Sequence, residues 1–170
     1  MKSSSNIFLI GPMGTGKSTV GKKLAKKSSQ QFYDCDQEIE NRTGASINLI
    51  FEIENEEGFR KRETQLLDEL TSMSNIVLAT GGGAVLNEEN RTRLSARGFV
   101  VYLRSDINQL LKRTSRDSKR PLLQNADSEA ILKELLEVRG PLYEAVADMV
   151  IDTAGLSIND IIAQIMSVDK

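Results

Sequence analysis

The sequence predicts an α/β fold, a three-layer sandwich in which a five-stranded parallel sheet is flanked by helices. Two observations predict it. Short, mostly apolar runs alternate with helical patterns along the chain, and parallel strands need crossover connections of that kind. Four of the runs carry no charged residue, which is typical of strands buried on both faces. The predicted strands are residues 7–10, 31–34, 76–79, 99–103 and 149–151.

Helical patterns fill the intervals between these strands. Val20 and Leu24 share one face of the first helix, with lysines around the rest of it. Asn87 and Asp106 are typical N-caps, and Pro141 is expected to kink or restart the helix that contains it. The predicted helices are residues 17–28, several within 36–74, 87–96, one that begins after Asp106, 128–138, and 157–168.

The first strand runs directly into a glycine-rich loop. Residues 11–19 read GPMGTGKST, which matches the phosphate-loop pattern of glycine, four residues, then Gly-Lys-Ser. Glycines let backbone N–H groups approach a polyphosphate, and the next helix directs its N-terminus at the anion. The alternative is a plain turn between strand and helix. We expect a P-loop NTPase fold in which Lys17 is a catalytic cation, Ser18 is a Mg²⁺ ligand, and ATP is bound by Gly14, Thr15, Gly16, Lys17, Ser18 and Thr19.

Two carboxylates and three glycines follow the ends of other strands. Because the carboxyl ends of parallel strands meet at one edge of a sheet, these residues and the loop should share one cleft. Asp34 is predicted to hold Mg²⁺ through water, and Asp36 to orient or deprotonate an accepting hydroxyl, two roles that the sequence leaves open. Gly81, Gly82 and Gly83 are predicted to contact the acceptor. Exposed or purely structural turns are the alternatives.

A basic segment lies between the fourth and the fifth predicted strands. Residues 112–120 hold five basic side chains and one acidic side chain, Asp117. A mobile lid over about 112–125 would close on the phosphates and exclude water, with Arg120 as the main phosphate contact. The alternative is an ordinary solvated helix face. The basic side chains are Lys112, Arg113, Arg116, Lys119 and Arg120.

Composition excludes several classes of function. The net charge of -2 gives no basic field for a nucleic-acid partner, and no apolar run approaches the roughly 20 residues of a membrane span. A single cysteine, Cys35, is expected to be a small buried residue and fits a cytoplasmic protein. Because the chain has no histidine, proton transfer falls to carboxylates, lysine or water.

The ordered motifs together resemble the shikimate kinases. The resemblance covers residues 7–153. It implies a single kinase domain, residues 1–170, of the nucleoside-monophosphate-kinase type, which uses ATP as co-substrate and Mg²⁺ to phosphorylate the 3-hydroxyl of shikimate in aromatic amino-acid biosynthesis. Besides the loop it rests on Asp34-Cys35-Asp36, Phe59-Arg60 followed by Glu63, Thr80-Gly81-Gly82-Gly83, Arg120-Pro121-Leu122-Leu123, and Arg139-Gly140-Pro141-Leu142-Tyr143-Glu144.

The same resemblance implies roles for individual residues. The aspartate matching Asp36 holds the accepting hydroxyl, and the arginines matching Arg60 and Arg139 bind the substrate carboxylate through paired hydrogen bonds. The matching glycines line the substrate pocket, within an acceptor-binding segment of about 33–62, and the lid arginine reaches the phosphates. Arg113 is expected to stack on the adenine, and the protein is expected to be a monomer.

Two features depart from common patterns, and two rival functions remain. Strand 76–79 lacks the terminal aspartate that many phosphate-loop enzymes place beside magnesium, and residues 152–155 offer no arginine near the adenine. A related kinase for a polyol acid, such as gluconate, is one rival, although it explains Arg60 less well. The other is a nucleotide-dependent switch, which should carry Asn-Lys-x-Asp after a strand, and the sequence has no such motif.

Overall fold

Five parallel strands form one sheet, as the sequence predicts, and their order in the sheet is β2-β3-β1-β4-β5. The computed structural model describes residues 5–114 and 128–168. Register pairs Asp34 with Ala79 and Ile10 with Tyr102, so the carboxyl ends of the strands lie at one edge of the sheet. The strands are β1 (Ile7–Ile10), β2 (Gln31–Asp34), β3 (Ile76–Ala79), β4 (Phe99–Arg104) and β5 (Met149–Asp152).

Helices connect every consecutive pair of strands. Both predicted N-caps are confirmed: Asn87 accepts a hydrogen bond from the Glu89 backbone N–H at 2.8 Å, and Asp106 accepts one from Gln109 at 2.8 Å. No helix within residues 5–114 and 128–168 is long and apolar enough to cross a membrane. The helices are α1 (Lys17–Ser28), α2 (Cys35–Thr43), α3 (Ile47–Thr71), α4 (Glu88–Arg97), α5 (Ile107–Thr114), α6 (Ser128–Val146) and α7 (Ile158–Met166), with a 3-10 turn at Ala84–Leu86.

One helix differs from its predicted form. Of the kink or restart predicted at Pro141, the restart is wrong, because α6 continues through the proline. Buried side chains on both sides, Leu132 and Tyr143, hold the helix together although proline lacks the N–H of a helical hydrogen bond. Within residues 36–74, where several helices are predicted, α3 is interrupted at Asn55, whose φ of 62° and ψ of -177° are not helical.

Alternate residues of β1 separate two hydrophobic cores, as the pleat of a strand requires. Phe8 and Ile10 face the core formed with α2, α3, α4 and α6. Ile7 and Leu9 face the core formed with α1 and α7. All four side chains are buried, which confirms the prediction of three layers with the sheet in the middle.

Two helical glycines provide a matched test of this packing. A Cβ added to Gly21 in α1 would lie 2.5 Å from the Phe32 ring, whereas one added to Gly140 in α6 would meet nothing within 4 Å. We therefore expect Gly21→Ala to lower the free energy of unfolding by about 1–3 kcal/mol, because the site is overpacked. Gly140→Ala should raise it by about 0.5–1 kcal/mol. Urea unfolding measures both, and effects of the same sign would contradict the packing described.

Candidate active site

The phosphate loop joins β1 to α1 and folds around the Lys17 ammonium group. Lys17 is buried, and its Nζ donates hydrogen bonds of 2.8 Å to the carbonyls of Gly11 and Pro12. Gly14 and Gly16 have φ values of 84° and 87°, a region that favours glycine. The N-terminus of α1 and a positive charge therefore lie together at the end of the central strand, where an anion would bind.

Asp34 contacts the loop from the end of β2, which β3 separates from β1 in the sheet. Ser18 donates its Oγ hydrogen bond to one carboxylate oxygen of Asp34, and the other oxygen accepts from the Gln37 N–H at 3.0 Å, which caps α2. Because this cap starts the helix at Cys35, Asp36 lies in the first turn of α2. Asp36 nevertheless lines the same cleft as Asp34.

The oxygens of Ser18 and Asp34 fit a magnesium ion. Mg²⁺ prefers hard oxygen ligands, and proteins that bind it beside phosphates usually supply one or two carboxylates and leave the other positions to phosphate and water. Within the described residues no group of three or more His, Cys, Asp or Glu side chains is placed to hold a metal. The donor set therefore suits a metal that phosphate oxygens would share.

The turn formed by Gly81, Gly82 and Gly83 is surrounded by charged side chains. A Cβ at Gly81 would lie 2.8 Å from Glu63 Oε2 and 3.1 Å from Asp36 Oδ1. A Cβ at Gly83 would lie 2.3 Å from Arg60 Nη2, and one at Gly82 would lie 3.5 Å from Arg139 Nη1. The volume that side chains at 81 and 83 would occupy is thus taken by charged groups. The contacts gather Asp36, Arg60, Glu63 and Arg139 around one piece of backbone.

Arg60 and Arg139 reach this turn from different helices. Arg60, on α3, donates to Glu63 Oε1 at 2.9 Å and to Glu56 Oε1 at 3.1 Å. Arg139, on α6, is only 4% exposed, so it is not the surface arginine that its local sequence alone indicates. Burial raises the pKa of the Glu63 carboxyl, although Arg60 acts to lower it. Two guanidinium groups and a buried carboxyl therefore lie around the turn.

The cleft at this edge of the sheet has a volume of about 510 Å³. Arg113, on α5, lines it and donates to the Gly14 carbonyl at 3.1 Å. Arg60, Gly83 and Arg139 do not line the cleft itself but lie around the Gly81–83 turn beside it. Its lining includes the predicted residues Gly14, Thr15, Gly16, Lys17, Ser18, Thr19, Asp34, Asp36, Gly81, Gly82 and Arg113.

Other lining residues were not predicted from the sequence. Leu156, Ile158 and Ile161 come from the β5–α7 connection and α7, and their apolar character gives no local signal of a site. Glu63 and Tyr143 do not line the cleft but contact the Gly81–83 turn beside it. Both belong to motifs of the resemblance, and the sequence predicted no role for them. Most of the predicted lid, including Arg120, lies outside the described residues. The remaining unpredicted lining residues are Val20, Gln37, Glu40, Ile47 and Thr80.

Comparisons with known proteins show which proteins the chain resembles in sequence and fold. The family model described as shikimate kinase matches residues 13–170. A shikimate kinase of Alteromonas mediterranea is 53% identical over 167 residues, which cover 98% of each chain. The structure of a shikimate kinase from Acinetobacter baumannii in complex with shikimate has a TM-score of 0.94 at 49% identity, over 98% of this chain and 93% of that chain. A gluconokinase from Sinorhizobium meliloti shares the fold alone, with a TM-score of 0.58 at 14% identity over 98% of this chain and 92% of that chain.

The thiol between the two aspartates should be inert in the folded protein. Cys35 is fully buried, and burial together with the carboxylates of Glu63, Asp36 and Asp34 raises the pKa of its thiol. Less thiolate is then present at any pH below that raised pKa. We expect a thiol reagent at pH 8 to react at least roughly 100-fold more slowly with the native protein than with the urea-unfolded chain. Equal rates would show that Cys35 is accessible and ionised.

Proposed function

Because the chain belongs to the shikimate kinase family, we infer that it transfers the γ-phosphoryl group of ATP to the 3-hydroxyl of shikimate. The products are ADP and shikimate 3-phosphate. The observation that carries this function is a single cleft lined both by the phosphate loop and by Asp36, with two arginines around the adjoining glycine turn. The rival gluconate kinase and nucleotide switch do not account for the identity of about half the residues over nearly the whole chain.

We propose that the acceptor lies over the Gly81–83 turn. Arg60 and Arg139 would bind its carboxylate, since a guanidinium forms paired hydrogen bonds to that group. Asp36, beside Gly81, would accept the hydrogen bond of the reacting hydroxyl. Glu63 holds Arg60 at 2.9 Å and so fixes the guanidinium before the substrate arrives. Separate recognition of the carboxylate and the hydroxyl would orient the ring of the substrate.

On the nucleotide side, the loop amides and Lys17 would bind the phosphates. Ser18 and Asp34 would hold Mg²⁺, Asp34 through water, and the ion would neutralise charge on the phosphates. Arg113 would pack against the adenine, with Leu156 and Ile158 as apolar partners, because these side chains line the same cleft as the phosphate loop. Arg120 keeps its predicted role as the phosphate contact of the lid.

The transfer itself requires positioning and charge stabilisation rather than covalent catalysis. The hydroxyl oxygen forms a bond to the γ-phosphorus while the bond from that phosphorus to the bridging oxygen of ADP breaks, and the hydroxyl proton passes to Asp36 or to water. Lys17 stabilises the negative charge on the transferring group, and Asp36 aligns the attacking oxygen. Lys17 follows β1 and Asp36 follows β2, and both side chains line the same cleft although β3 separates the two strands.

We also propose a cytoplasmic monomer. One chain brings the phosphate loop, Asp36 and Gly81 to the same cleft, and this convergence is what supports a monomer. Use of ATP and a single cysteine support a reducing, ATP-containing compartment.

Loss of the Asp36 carboxylate should separate chemistry from nucleotide binding. Purified protein with Mg²⁺, ATP and shikimate is expected to release ADP and form a phosphorylated acid, with no comparable release on gluconate or without an acceptor. Asp36→Asn should lower kcat on the order of 100-fold or more, while its Kd for ATP stays close to that of the parent. A rate of ADP release that is the same with and without shikimate would overturn the function. An Asp36→Asn variant with parental kcat would overturn only the role of this residue.

A methyl group at Gly83 should damage acceptor binding alone. The added Cβ would collide with the Arg60 guanidinium at 2.3–2.5 Å. Displacing a charge-assisted hydrogen-bond donor should raise the KM for shikimate on the order of 10- to 100-fold, with the KM for ATP unchanged. Gly140→Ala, which adds the same methyl group in open space beside Arg139, is the control and should keep the parental KM. Equal KM values in both variants would contradict the placement of Arg60.

A further inference from the structure

Tyr143 joins two acceptor-binding elements that are far apart in the sequence. It is completely buried on α6, and its hydroxyl donates a hydrogen bond of 2.5 Å to the Gly82 carbonyl. Arg139 lies four residues earlier on α6, one helical turn away and on the same face. Arg139 lies beside the same glycine, because a Cβ added to Gly82 would lie 3.5 Å from its Nη1. Burial raises the pKa of the Tyr143 phenol, and the nearby charge of Arg139 acts to lower it. The Tyr143 hydroxyl thus bonds the glycine turn next to an arginine assigned to the substrate carboxylate.

Consecutive glycines make such a contact valuable. Glycine has little intrinsic preference among backbone conformations, so a run of three does not by itself hold one arrangement. The carbonyls of Gly81 and Gly83 accept backbone hydrogen bonds of 3.1 Å from Ala84 and Leu86 within their own turn. The Gly82 carbonyl accepts its bond from Tyr143 instead. Of these three carbonyls, it is the one held by a side chain from another part of the fold.

Fixing this carbonyl also fixes an N–H group. The Gly82–Gly83 peptide is trans, as are all the described peptide bonds, so its C=O and N–H point in opposite directions within a rigid plane. With the carbonyl turned towards Tyr143, the Gly83 N–H is turned away from it. Rotation of this peptide would change the backbone beneath Arg60, because Gly83 lies against that guanidinium.

We propose that Tyr143 is a positioning residue for the acceptor: its hydroxyl holds the Gly82–Gly83 peptide, beside Arg139, in the arrangement that binds the shikimate carboxylate. Positioning by Tyr143 rests on the proposed function, because it concerns the acceptor half of that same site. Loss of the hydroxyl alone should therefore weaken shikimate binding and leave the phosphate loop untouched.

The ring and the hydroxyl of Tyr143 can be tested separately. The ring packs against Tyr102 with centroids 4.9 Å apart, and phenylalanine would preserve that contact. Tyr102 supplies the matched control, because it is also buried. Burial raises the pKa of its phenol, and the charged groups that act on this pKa are Arg104, Glu144 and Asp152. Tyr102→Phe therefore removes a neighbouring hydroxyl that has no part in the proposed positioning.

The experiment compares Tyr143→Phe and Tyr102→Phe with the parent in steady-state kinetics and thermal unfolding. For Tyr143→Phe we expect the KM for shikimate to rise roughly ten-fold, as for the loss of one buried hydrogen bond. Its kcat and its KM for ATP should stay within about two-fold of the parent, which is the pattern of lost ground-state binding. Tyr102→Phe should leave all three constants within about two-fold.

Each other result for Tyr143→Phe would overturn the proposal. An unchanged KM for shikimate would show that the hydroxyl positions nothing, and parallel increases for shikimate and ATP would show a general structural role. Failure of the variant to fold would assign the hydroxyl to stability. The same set of assays keeps the two inferences apart, because a parent protein inactive on shikimate would overturn the proposed function itself.

Discussion

The backbone that follows β3 carries no side chains at Gly81, Gly82 and Gly83, and the proposed acceptor half of the site depends on this constraint. Charged groups approach the Gly81–83 turn from α2, α3 and α6, and the closest of them occupy space that side chains would otherwise fill. Any residue other than glycine at position 83 would have to displace the Arg60 guanidinium. The triplet therefore does more than turn the chain, because it lets three helices bring charges to within contact of one strand end.

The charges brought together there are costly to bury, which explains their pairing. Removing an ion from water costs several kcal/mol unless hydrogen bonds and an opposite charge compensate. Glu63 is almost fully buried and is compensated on one side by Arg60. Burial still raises its pKa, so compensation is incomplete. A purely structural core would gain from apolar residues at these positions. The charged pair is therefore consistent with the proposed role of Arg60 in binding an acid.

Features that depend on neighbouring residues could be predicted from the sequence, whereas features that depend on tertiary packing could not. The phosphate loop and all five strands follow from short patterns, because glycine spacing and apolar runs depend on neighbouring residues. The continuity of α6 through Pro141 depends on buried contacts with the rest of the core. Such contacts join residues that are far apart in the sequence, so a local pattern cannot predict them. The burial of Arg139 also depends on tertiary packing, so the sequence around it does not predict it. Leu156 and Ile158 line the cleft only because the β5–α7 connection passes beside the loop.

The two halves of the site are consequently built in different ways. In the nucleotide half, Lys17 is held by carbonyls five and six residues earlier in the chain, so this geometry follows from the loop alone. In the acceptor half, Arg60 and Arg139 come from separate helices and meet at a strand end that neither adjoins in sequence. Phosphate binding can therefore be common to many enzymes that share a short motif, whereas recognition of one particular acid requires the packing of a whole domain.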